Sequence, residues 1–221
     1  MKKNSNLVFI AAGACLIASI GEMITTFAMG PFYPGYSQLK ETMSAMGASV
    51  SPISAPMSAW WIIMGFLIIL FGLGFRRAFG ERGRSARLAS WLIMLYGFGE
   101  GFGSGAFKAN FIAGEFTNSA IVHDTLGGIG VVAILILPLV MLWVISKEEM
   151  PRFHRLSKIM FVTGIATVML FMFRFSSSSD NFLAEYKGLW QRLFMLNTYI
   201  YLVTIAVIMV KQQHRGTAKA E

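Results

Sequence analysis

Charge is scarce in this sequence. Only 14% of its 221 residues are Asp, Glu, Lys or Arg, and 55% are hydrophobic, whereas a soluble domain carries about 25% charged residues. Cys15 is the single cysteine, which excludes an intramolecular disulfide. There are three histidines, His123, His154 and His214. The topology below puts the last two on the opposite side from the first, so one chain cannot build a three-histidine zinc site. No glycine-rich phosphate loop follows a strand pattern, and no pair of histidines on neighbouring apolar runs suits haem. The polar run Ser176–Ser179 has no surroundings that would activate a serine. No cofactor and no metal is therefore expected. The weaker metal readings are a mixed site from His123, Asp124 and a glutamate, and soft copper ligation by Met43, Met46 and Met57. Methionine serves more often as an adaptable apolar side chain.

In place of charge there are long apolar runs. Six of them, over approximately 7–29, 54–75, 86–107, 125–146, 158–176 and 189–210, have the length of about 20 residues that a helix needs to cross the hydrocarbon core. A backbone in lipid must satisfy its own hydrogen bonds, so each run is expected to be a helix. Six spans and short connections use nearly the whole chain. The expected fold is an all-α, polytopic transmembrane six-helix bundle over 1–221, built as three helical hairpins whose loops lie outside. The context Ala12-Gly13-Ala14-Cys15 faintly resembles a lipoprotein cleavage box. Ala12 stands where leucine is usual, however, and the apolar run continues to Met29, so the first span is read as retained.

Orientation follows from the basic residues. Fourteen of the 19 Lys and Arg side chains fall at one set of ends, among them Lys2, Lys3, Arg76, Arg77, Arg82, Arg84 and Arg87, and five fall at the other. The positive-inside rule then puts both termini in the cytoplasm and predicts a multi-pass protein of the cell membrane. The net charge of +8 lies at span ends and forms no basic face, so no nucleic-acid partner is expected. Clustered arginines at the inner surface also suit anionic lipid. Trp91 and Trp143 fall near the inner interface and Trp190 near the outer one, as in an aromatic belt.

The outer side is richer in chemistry. Its longest connection, 30–53, opens with the turn-rich Gly30-Pro31-Phe32-Tyr33-Pro34-Gly35. Leu39, Met43 and Met46 then recur at helical spacing, with Ser37 placed as a cap. This predicts a short interfacial helix, either a simple connector or a lid. Glu22, Glu100 and Arg174 occupy comparable outer positions of the three odd-numbered spans, a faint threefold repeat. Arg192 and Asn197 lie early in the last span, and His123 and Asp124 open the fourth. Charges inside a span are costly and need partners or water. Glu22, Glu100, His123, Asp124, Arg174, Arg192 and Asn197 are therefore the candidate ligand-binding set of one outward-facing polar pocket. Simple pairing of Glu22 and Glu100 with Arg174 and Arg192 is the structural alternative, and proton relay a further one. Gly97, Gly101 and Gly105 follow the small-xxx-small spacing, so one face can take a neighbouring helix closely, within the chain or from another subunit or copy.

Several short segments resemble the bacterial and archaeal family DUF998, a domain of unknown function. They are Pro34-Gly35-Tyr36-Ser37, Ser44-Ala45-Met46-Gly47 with Ser51-Pro52, the preceding Glu22, His123-Asp124, and Gly188-Leu189-Trp190-Gln191-Arg192. The resemblance covers roughly 20 to 210 and departs at Gln191, where an acidic residue is more usual. It implies a six-span membrane protein and no activity. The leading expectation is a binding site for membrane lipids or another amphiphile loaded from the outer leaflet, with Arg174 and Arg192 on an anionic headgroup. An intramembrane lipid-modifying enzyme using Glu100, or Asp124 with His123, is one alternative. A non-catalytic partner subunit or small transporter is another.

Overall fold

Helix α1, Lys2–Met29, runs for 28 residues, and from Leu7 to Met29 every residue except Ser19, Glu22, Thr25 and Thr26 is apolar or glycine. A computed structural model describes residues 2–112, 115–175 and 181–218. The chain continues through α2 (Met43–Gly47) and α3 (Ser54–Phe79). Next comes α4 (Arg84–Tyr96), which runs into a π-helical segment, Gly97–Gly103, and the short α5 (Ser104–Ala106). A two-residue hairpin pairs β1 (Phe111–Ile112) with β2 (Glu115–Phe116). Helices α6 (Asn118–Val144), α7 (Pro151–Met172), α8 (Phe182–Glu185) and α9 (Lys187–Ala218) complete the order. The protein is an all-α polytopic bundle. Among the described residues five helices are long and apolar enough to cross a membrane, and the segment expected as the third span is interrupted by the π-helix.

The long helices pack in chain order around a ring: α1 on α3, α3 on the α4–π–α5 segment, that segment on α6, α6 on α7, α7 on α9, and α9 back on α1. Both described termini share one end. Gly74, near the end of α3, lies against Ala11 of α1, and Gln212 of α9 reaches Arg82 just beyond α3. That end carries Arg76, Arg77 and Arg82, as the charge distribution predicts. Its interior is filled by Ile68, Phe71, Phe75, Phe79, Leu137, Met141, Ile205 and Met209.

Five alternating glycines set how closely the third segment is held. A Cβ on Gly97 would lie 2.8 Å from Gly65 O, one on Gly105 would lie 2.8 Å from Ser58 O, and one on Gly101 would strike the Gly65 backbone. All three therefore face α3. Gly99 faces the backbone of Leu126 and Gly130 in α6. The small-residue face is filled from within the chain, so in this structure it offers no surface to a second subunit. The wider π turn is a common form at functional sites, and here it carries Glu100.

Two boundaries differ from the sequence expectation. Helix α6 starts at Asn118 because Thr117 Oγ1 caps it, accepting from Ala120 N at 3.2 Å; His123 and Asp124 thus sit inside the helix, not at its mouth. In the connection 30–53 the α-helical residues are Met43–Gly47, after a 3-10 turn over Gly30–Phe32. Leu39 is exposed while Met43 and Met46 are buried, so the segment turns its methionines into the bundle.

Candidate functional site

The end of the ring opposite the described termini holds a cavity of about 110 Å³. Of the seven candidates, Glu22, Glu100, His123, Asp124 and Arg174 line it. Arg192 and Asn197 do not, and each has other work.

Glu22 is 1% exposed. Its carboxylate accepts from Trp60 Nε1 at 2.6 Å, Trp61 Nε1 at 3.1 Å and Thr26 Oγ1 at 3.3 Å. Thr26 stands one turn further along the same helix, the spacing at which side chains meet. The two indoles come from successive residues of α3. No ion pair reaches Glu22 among the described residues, so the expected glutamate–arginine pairing is replaced by three neutral donors. A Cβ on Gly21 would run into the Trp60 ring, so that glycine makes room for the cage.

Glu100 makes no hydrogen bond or ion pair among the described residues. It packs over Gly127 and Gly130 of α6; a Cβ on Gly127 would lie 3.4 Å from its Oε1. Arg174 pairs with Asp124 at 3.5 Å, longer than the roughly 2.7–2.9 Å of a strong charged bond. Its Cζ lies 4.4 Å from the centroids of both Phe171 and Phe175. Its Nε is buried and has no hydrogen-bond partner among the described residues. His123 Nδ1 is 2.9 Å from Phe107 O; a carbonyl cannot donate, so Nδ1 carries the proton. His123 and Asp124 thus turn to different partners and form no acid–base pair with each other. No group of three or more His, Cys, Asp or Glu side chains among the described residues is placed to hold a metal ion.

Arg192 is 6% exposed and ties down the outer connection. Nε donates to Gln38 Oε1 at 2.8 Å, Nη2 to Tyr36 OH at 2.6 Å, and Nη1 to Glu41 O at 3.1 Å and Gly188 O at 3.0 Å. Tyr36 OH passes its own proton to Thr42 O at 3.0 Å. Burial raises the Tyr36 phenol above its ordinary value, the Arg192 guanidinium opposing this, and the hydroxyl stays a donor. Gln191 Oε1 accepts from Met43 N at 2.7 Å, a task the amide carbonyl performs without a carboxylate. Gly188 lies so near the loop that a Cβ there would be 2.8 Å from Gln38 O and 2.9 Å from Leu39 O. The early and late segments that carried the family resemblance thus meet as one clamp. It holds Met43 and Ser44 over the cavity as a roof. Asn197 instead joins two helices: its Oδ1 accepts from Thr163 Oγ1 at 2.6 Å, and its Nδ2 donates to Met160 O at 3.1 Å.

Residues that sequence reasoning passed over are Trp60, Trp61, Ser104, Gly127 and Gly128. The adjacent tryptophans carried a signal, since a buried indole N–H needs an acceptor and Glu22 is a buried acceptor in the neighbouring span. Outside the spans, Lys108 Nζ donates to Ser54 Oγ at 2.8 Å and to Ser58 Oγ, at the start of α3. Burial holds this ammonium below its ordinary value.

A laterally bounded polar cavity in a ring of apolar helices defines a polytopic membrane protein with a built site at one end. The DUF998 profile, described as a protein of unknown function, matches residues 10–208, and the chain belongs to that family. No curated protein and no solved structure matches the chain.

Proposed function

We propose that this is a six-span protein of the cell membrane, with the interrupted α4–π–α5 segment as the third crossing and both termini in the cytoplasm. Its outer cavity takes the polar end of a lipid or other amphiphile from the outer leaflet. The observation that carries the reading is where the cavity opens. The clamped loop covers it from above, and packed apolar side chains close it below. Between α6 and α7 the wall is thin. Asp124 and Arg174 are 30% and 19% exposed there, Met172 is exposed, and a Cβ on Gly128 would meet nothing within 4 Å. Helix α7 is also the least covered of the spans, with 11% of its apolar window buried against 44–56% elsewhere. A ligand arriving through the bilayer meets this side first.

Size supports a headgroup more than a whole molecule. Sites for drug-sized ligands occupy about 300–1,000 Å³, and this cavity is smaller. Acyl chains would remain in the bilayer along α6 and α7. Arg192, expected to hold an anionic headgroup, is spent on the loop, so that task falls to other side chains. The apolar packing of Ile68, Phe71, Phe75, Leu137 and Met141 between this cavity and the opposite end supports a binding role over alternating access.

Gly128→Trp tests the reading, because a Cβ there meets nothing within 4 Å and a bulky side chain at that point obstructs the gap. Native mass spectrometry of wild type from mild detergent is expected to show a stoichiometric lipid adduct, and Gly128→Trp to lose it at unchanged melting temperature. A bare wild-type mass, or an adduct that persists in Gly128→Trp, would overturn the proposal.

A further inference from the structure

We infer that the cavity takes a zwitterionic headgroup, its ammonium at Glu100 and its phosphate at Arg174; this rests on the lateral-cavity reading above. The polar groups of the cavity divide into the satisfied and the unmet. Glu22 accepts from three donors. Asp124 has Arg174, and His123 has Phe107 O. Two groups remain. Glu100 is a carboxylate with no partner among the described residues. Arg174 Nε is a buried donor with none. An unmet acceptor and an unmet donor in one desolvated cavity are each costly, and a ligand carrying one charge of each sign satisfies both.

The geometry narrows the class. Phe171 and Phe175 pack against Arg174, each ring centroid 4.4 Å from Cζ, and the free Nε–H takes a partner in the guanidinium plane. That is the approach a phosphate oxygen makes to arginine. Asp124 and Arg174 stand at the exposed gap, where a phosphate attached to glycerol and acyl chains would rest. Glu100 lies further in, over Gly127 and Gly130. The glycines leave space, and Trp61 and Phe194 supply aromatic lining suited to an ammonium. An anionic lipid without an amine would satisfy Arg174 and set its remaining groups against Glu100. A simple cationic amphiphile would leave Arg174 Nε unmet.

The test is a competition. Wild-type protein in mild detergent is offered equimolar phosphatidylethanolamine and phosphatidylglycerol with matched chains, and retained lipid is read by native mass spectrometry. Retention of the ethanolamine lipid is expected to exceed that of the glycerol lipid about tenfold or more, the scale of one buried charge-assisted hydrogen bond. Glu100→Gln, which keeps the shape, should abolish that preference at unchanged melting temperature. Arg174→Gln should lower retention of both lipids. Equal retention by wild type, or a preference unchanged in Glu100→Gln, would overturn the headgroup assignment and leave the lateral cavity standing. Retention of neither lipid by wild type would overturn both.

Discussion

At the end of the bundle that carries Arg76, Arg77 and Arg82, charged side chains stand in the open. The core behind them is hydrocarbon. Their main tie is Arg82, which donates to Glu149 Oε2 at 2.7 Å and Oε1 at 2.9 Å and also reaches Val144 O and Gln212 Oε1. That pair is 33% and 38% exposed, where an ion pair stabilises by about 0–1 kcal/mol. At the opposite end Glu22 and Arg192 are 1% and 6% exposed, the first met by three donors and the second by four acceptors. Removing one side of a buried polar pair leaves the other unsatisfied at about 1–3 kcal/mol per group. One end therefore leaves its charge at the surface, and the other uses it to hold a particular interior shape.

Three substitutions probe that contrast. Glu22→Ala should have the largest effect, because it strands the Trp60 and Trp61 N–H groups; a loss of about 2–5 kcal/mol is expected from two unmet buried donors, read by thermal unfolding in detergent. An effect below about 1 kcal/mol would show that the indoles find other acceptors. Arg192→Ala should follow, at about 2–4 kcal/mol for four released bonds partly regained by water. Its more telling sign is new protease cleavage within residues 30–53. A loop that stays protected would show that Gln191, Gln38 and Leu39 suffice to hold the roof.

Arg82→Ala should cost least, about 1 kcal/mol or less. Its effect should also depend on pH. Hydrogen bonds from Arg82 hold the Glu149 carboxyl below its ordinary value of 4.5. A depressed folded value gives stability above the ordinary value that is lost as pH falls through the folded one. The difference in melting temperature between wild type and Arg82→Ala should thus be present at neutral pH and vanish well below pH 4.5. A difference that persists in acid would assign the effect to the bonds with Val144 O and Gln212.

Much of this was readable in the sequence, and the reasons are physical. Apolar run length and the bias of Lys and Arg are properties of whole segments, so the helices and the shared end of both termini came through. Glu22, Glu100 and Arg174 stood out because charge in a span is rare, and all three line one cavity. Arg192 lies outside the cavity lining and bonds the loop instead. A long side chain near a span end can turn inward or reach back over the loop, and sequence position does not distinguish the two. Asn197 looked like a pocket residue on depth alone, but depth does not say which side of a helix a residue occupies. The glycines announced close packing without naming the partner. The π turn that lets alternating glycines serve two neighbours has no one-dimensional signature beside an ordinary helix.

Ring order has a consequence for how the protein is assembled. Glu22 sits on α1 and its indole donors on α3, two neighbours made early, so this costly carboxylate can find its partners as soon as the first hairpin forms. The roof is different. Tyr36, Gln38 and Glu41 are synthesised long before Gly188, Gln191 and Arg192; the earlier ties, Gln38 to Thr26 O and Ser49 to Asn110, hold the loop only at other points. Until α9 inserts and meets α1, the ring is an open arc and the cavity has no fixed ceiling. The last helix is thus both the closing segment and the fastener, and a chain stalled before it would carry the site's carboxylates without the chamber.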